Sequence, residues 1–135
     1  MEKIICNYIK DTLADNDRIK VEFDLSKEYL EFEIAGFNCI AEHGHRAKNI
    51  NKYLAEKTLK HRKIYDYGFL GHYHSGSVVS VGEGEYHNMK VFISPSFVGS
   101  CPYADTLDVG AKASANILRF NNKYGHVGTE EIILN

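Results

Sequence analysis

Two short histidine–glycine motifs are the parts of this chain best suited to chemistry: His43-Gly44-His45 and Gly71-His72-Tyr73-His74. Neutral imidazole is a good ligand for manganese, iron, nickel or zinc. Each motif follows an apolar run that reads as a β-strand. Side chains two apart on extended backbone point to the same side, so each motif can aim two ring nitrogens at one point. If the two strands are neighbours, four histidines meet at one sheet edge. A divalent transition metal held there with an open position can acidify a bound water or polarise a phosphoryl oxygen. Metal identity is not written in the sequence, because histidine sites accept several first-row ions.

The elements that must position these motifs follow from hydrophobic spacing. Ile4, Ile5, Tyr8, Ile9 and Leu13 recur at helical intervals, which predicts a helix over about residues 2–14. Val21, Phe23 and Leu25 alternate with polar residues, as do Leu30, Phe32 and Ile34; with Ser26-Lys27-Glu28-Tyr29 between them they predict a β-hairpin. Phe37–Ala41 is an apolar strand leading into Glu42 and the first motif. A basic helical segment follows, with Ala47, Ile50 and Leu54 on one face. Tyr67–Leu70 delivers the second motif, and Tyr73, between its histidines, is expected to turn into the core. Val78–Val81 and Met89–Ser94 flank a turn at Gly82–Glu85. Ser94-Pro95-Ser96 and Ser100–Gly110 read as irregular loop, on which Asp105 and Asp108 are candidates for the pocket mouth. Ala113–Phe120 and His126–Leu134 predict a final hairpin. The order implies one domain over residues 1–135, of class α+β: a mixed β-sheet with covering helices.

The chain has 135 residues, 44% of them hydrophobic, and a formal charge of −2. It has no apolar run long enough for a membrane span and no signal-peptide core, so a cytoplasmic protein that does not enter membranes is expected. Cys6, Cys39 and Cys101 are odd in number and widely spaced, and read as reduced thiols. Charge is uneven. The first 33 residues are net acidic, whereas residues 46–63 carry Arg46, Lys48, Lys52, Lys57, Lys60, Arg62 and Lys63 against Glu56 alone. Such a segment is either a solvated helix face or a surface for phosphate and nucleic acid. His61, His87 and His126 lie outside both motifs and read as structural. Ser96 and Ser100 are read as turn residues, since no nucleophile elbow surrounds them.

The two motifs together resemble the calcineurin-like metallophosphoesterases. Gly71-His72-Tyr73-His74 is similar to that family's G-H-x-H, and Glu42-His43-Gly44-His45 to its upstream histidine motif. A hairpin and a strand ending in Ser94-Pro95-Ser96 follow as they do there. The tail from Tyr103-Ala104-Asp105 to Ala113-Ser114 resembles the phage and prophage type. The resemblance begins near residue 20 and implies two packed sheets with outer helices, the αββα sandwich, around a dinuclear metal centre. It implies that His43 and His72 bind one metal and His74 the other, with the two cations stabilising charge on the phosphoryl oxygens.

The family's earlier motifs, D-x-H, G-D-x-x-D and G-N-H-D/E, have no counterpart here. Asp11, Asp15-Asn16-Asp17 and Asp24 do not reproduce their spacing. The expectation is therefore a C-terminal half of the sandwich that lacks the aspartate and asparagine ligands and the acid for the leaving group. No catalytic residue beyond the metal ligands is assigned. A single metal could complete its shell with His45, Glu42 or water. Three readings are open: a half-enzyme for phosphomonoesters or phosphodiesters, nucleic acid included, that works with a partner chain; a degenerate metal-binding or assembly module; and a mononuclear hydrolase using all four histidines. A half-sandwich exposes apolar surface at Phe23, Leu25, Phe32, Ile34, Phe37 and Ile40, so a homodimer or a complex with the missing half is expected.

Overall fold

Glu42 of one strand lies level with Leu70 of its parallel neighbour, and this register brings the two motifs together. The computed structural model describes residues 1–73, 75–99 and 112–134. Along them run α1 (Glu2–Thr12), β1 (Tyr29–Ile34), β2 (Phe37–Glu42), a 3-10 turn (Ile50–Lys52), α2 (Tyr53–His61), β3 (Tyr67–Leu70), β4 (Ser77–Glu83), β5 (Asn88–Ile93), β6 (Ser114–Asn121) and β7 (Gly125–Ile133). Strands β1-β2-β3-β5-β4 form one mixed sheet, and β6 and β7 form a separate two-stranded ribbon. The three central strands, β2, β3 and β5, are parallel; the two outer ones, β1 and β4, are antiparallel to their neighbours. The class is α+β with a mixed sheet, as expected.

Alternation along the central strands sorts their side chains onto two faces. Ile40, Leu70, Val91 and Ile93 turn toward Tyr53 and Leu54 of α2. Cys39, Tyr67 and Phe92 turn the other way, with Phe32, Phe37, Phe69, Leu118 and Phe120 packed against them. The layers are therefore helix, sheet, ribbon. Helix α2 sits close because Gly68 faces it: a Cβ there would lie 2.9 Å from Tyr53 Cε1 and 3.1 Å from Leu54 Cδ2.

The first hairpin differs from expectation. Residues 19–24 form no strand; β1 pairs instead with β2 through the two-residue turn Ala35-Gly36. Both turn residues have positive φ, 52° and 89°. That is the type I′ pattern, whose twist matches that of paired strands. The chain does turn at residues 25–28, but that turn joins no pair of strands; the hairpin's own turn lies inside an apolar stretch. Ile40, expected to be exposed on a half-sandwich, is fully buried because α2 covers its face. Helix α1 has no buried residue; its apolar stripe, Ile4, Ile5, Tyr8 and Ile9, is exposed. No helix among the described residues is long and apolar enough to cross a membrane.

Candidate metal centre

The parallel strands β2, β3 and β5 end at the same edge, where ligands of open α/β sheets commonly bind. Glu42, Leu70 and Ile93 are level across them, so His43, Gly71 and Ser94 leave the sheet side by side. The Ser94 N–H donates to the Leu70 carbonyl at 2.7 Å and extends the ladder one step into the loops.

Neither histidine motif stays extended. The chain turns left-handed at Gly44 (φ 93°), where glycine is needed for the backbone angle and where a Cβ would come within 3.2 Å of Leu70 Cβ. His72 itself has φ 68°, an uncommon state for a residue with a Cβ. The Tyr73 N–H bonds back to the Gly71 carbonyl at 2.8 Å around it, a γ-turn of the strained kind. The expectation of two extended motifs is thus corrected: turns, not strand alternation, aim the rings. Strain of this sort persists only where surrounding structure imposes it.

Three of the four candidate histidines come together. His43 Nε2 and His72 Nδ1 are 3.1 Å apart. The His45 ring centroid stands 5.5 Å from that of His43 and 6.4 Å from that of His72. His74, Cys101, Asp105 and Asp108 lie outside the described residues. Among the described residues, no three histidine, cysteine or carboxylate donors converge on one point. The donor chemistry nevertheless fits a transition metal. Two nitrogens about 2.0–2.1 Å from one tetrahedral metal lie about 3.3 Å from each other, close to the observed separation of His43 and His72.

Several supporting roles were not visible in the motifs. Tyr73 is not in the core: it is 41% exposed, and its hydroxyl donates to the Ala47 carbonyl at 2.6 Å. It ties the loop carrying His72 to the loop carrying His45. Lys57 of α2 meets Glu42, the last residue of β2, at 2.6 Å, with side-chain exposures of only 18% and 13%. Glu42, His43, His45, Arg46, Lys57 and Lys60 line one cleft of about 320 Å³ together with Lys27 and Glu28. Arg46 is paired with Glu28 at 2.7 Å. Beneath the cleft the Tyr53 hydroxyl is buried, faces the Glu42 carboxylate outside hydrogen-bonding geometry, and has no other partner among the described residues. Burial first, and that carboxylate second, raise its pKa well above the usual tyrosine range.

The remaining histidines are structural, as the sequence suggested. His61 stacks on Tyr29 and bonds the Tyr65 hydroxyl. His87 pairs with Asp66 at 3.0 Å, while Asp66 also accepts the Asn38 N–H. The Nδ1 of His126 accepts from Lys90 and its Nε2 donates to Thr129, binding the ribbon to β5. Cys39 is fully buried, and its thiol is pushed up to about 12, chiefly by desolvation. It is an inert core residue.

No protein-family model matches the chain. It is 38% identical over 135 residues to the SPbeta prophage-derived uncharacterized protein YonJ of Bacillus subtilis (strain 168). The match takes in all of this chain and 33% of YonJ, so the chain spans a third of that relative's length. Among solved structures it is similar to wild-type Vps29 from Entamoeba histolytica complexed with Zn2+, with a TM-score of 0.55 and 20% identity. A double mutant of the same protein gives a TM-score of 0.56 at 20% identity. Each of these matches covers 84% of this chain and 64% of Vps29. The likeness shows the fold: the α+β arrangement is that of Vps29, which has the calcineurin-like metallophosphoesterase fold.

Proposed function

We propose that the chain is a metal-dependent phosphoesterase-like domain that works with a partner polypeptide. His43, His45 and His72, with His74 beside them in sequence, would hold one divalent transition ion: zinc, manganese, iron or nickel. The observation that carries this reading is the meeting of His43 Nε2 and His72 Nδ1 at 3.1 Å at the carboxyl ends of two parallel strands. Bound there, the metal supplies Lewis acidity toward a phosphoryl oxygen. The chain's own residues fix the imidazoles, through the Tyr73–Ala47 bond and the left-handed turns. Lys60, Lys27 and Arg46 add positive charge to the cleft beside them, suited to a phosphomonoester or a phosphodiester such as nucleic acid. Carboxylate ligands are missing from the described cluster, and a partner chain is the source proposed for them, which makes a complex rather than a lone chain the active species. YonJ's extra length is compatible with such a complement.

A second reading, a catalytically degenerate metal-binding or assembly module, is favoured by one observation: among the described residues, imidazole is the only donor type in the cluster. Elemental analysis of the purified chain beside a His43→Ala/His72→Ala double variant tests the shared premise. About one transition metal per chain, lost in the variant, supports the site; equal background in both refutes it. Hydrolysis of bis-p-nitrophenyl phosphate with manganese, by the chain alone and mixed with the flanking segments of YonJ, separates the two readings. Activity only in the mixture supports the half-enzyme, and none in either supports the module.

A further inference from the structure

We propose that Lys57 withholds the Glu42 carboxylate from a metal held by His43, His45 and His72, and so sets the affinity of the site. The proposal rests on the metal reading above and names a ligand that the folded chain keeps in reserve. Glu42 immediately precedes His43 and lines the same cleft as His43 and His45. Its carboxylate is bound by the Lys57 ammonium at 2.6 Å, with both side chains mostly buried. Lys57 stays in place because its helix is anchored by Tyr53 and Leu54, and its ammonium lies 5.4 Å from the centre of the Tyr53 ring.

Three imidazoles leave the fourth position of a tetrahedral metal open, and a carboxylate oxygen is an ordinary occupant of it. A divalent ion competes for that oxygen against a singly charged ammonium. The ammonium has the advantage of being tethered by its helix and already in contact. Removing the ammonium frees the carboxylate that immediately precedes His43 and lines its cleft; Glu28, which lines the same cleft, is paired with Arg46.

The test is zinc binding by titration calorimetry on the full chain, with folding checked by far-UV circular dichroism. Lys57→Met should bind zinc at least about tenfold more tightly than wild type, the scale on which residues that orient metal ligands act. Lys57→Arg, which keeps the charge, should match wild type. Lys57→Met/Glu42→Gln should lose the gain. Should Lys57→Met lose helical signal, Lys57→Gln gives the same comparison. Wild-type binding with no gain in Lys57→Met overturns the proposal alone, as does a gain that survives Glu42→Gln. Absence of zinc binding in every variant overturns both the proposal and the metal reading.

Discussion

Replacing His72 by glycine should give a more stable protein than replacing it by alanine. Both substitutions remove the imidazole and its contact with His43, so those losses cancel in the comparison. What differs is the backbone. At φ 68° a residue with a Cβ sits in the left-handed region, at a cost of about 1–2 kcal/mol that glycine avoids. Glycine gives back about 0.5–1 kcal/mol through its freer unfolded chain. The balance favours glycine by about 0.5–1 kcal/mol. At 135 residues the entropy of unfolding is about 0.28 kcal/mol per kelvin, so the glycine variant should melt about 2–4 °C higher. The measurement is thermal denaturation of both variants in metal-free buffer with chelator. At a position of ordinary φ the sign reverses, because alanine is then favoured by about 0.4–1 kcal/mol. An alanine variant as stable as the glycine one would refute the strained turn. A confirmed strain would mean that histidine is kept at position 72 against the preference of the local backbone, as at a functional site.

Two further outcomes are expected. Gly68→Ala would put a Cβ 2.9 Å from Tyr53 Cε1, and overpacking of this kind costs about 1–3 kcal/mol; melting should fall by several degrees, and an unchanged midpoint would show that α2 is not seated on Gly68. Burial and the Lys90 ammonium lower the pKa of His126, so the fold favours its neutral form. The sign follows: this contribution to stability is complete above the unfolded value of about 6.5 and declines as pH falls below it toward the folded value. Melting curves between pH 7.5 and 5.5 should drop more steeply for wild type than for Lys90→Met, and an NMR titration placing His126 at or above 6.5 would contradict the argument.

Strands β3 and β5 were legible because apolar runs sit between glycine- and histidine-rich breaks, and the β6–β7 ribbon because Asn121-Asn122-Lys123 marks its turn. The first hairpin was misplaced for a physical reason. Val21, Phe23 and Leu25 alternate as well as any strand in the chain, and only the choice of partner decides between them and Phe37–Glu42. That choice depends on Ala35 accepting a positive φ, which no composition rule anticipates. The meeting of His43 and His72 was readable because both follow strand ends. Their turns were not, since nothing marks His72 as left-handed. The roles of Tyr73 and Lys57 depend on how two loops and a helix face each other, which is settled by packing over many residues.

His43 and His72 stand 29 positions apart in sequence and touch only because β2 and β3 pair in parallel at one particular offset. A slip of one residue would carry one ring about 3.3 Å along the strand and invert the faces of every side chain on it. An unfolded chain, or one paired out of step, does not present both imidazoles to one ion. Metal captured at this edge would therefore add its binding energy to the correctly aligned sheet alone. The histidine pair thus works as a gauge of strand alignment: a bound ion would reward a register that the short apolar strand Tyr67–Leu70 must otherwise hold by packing.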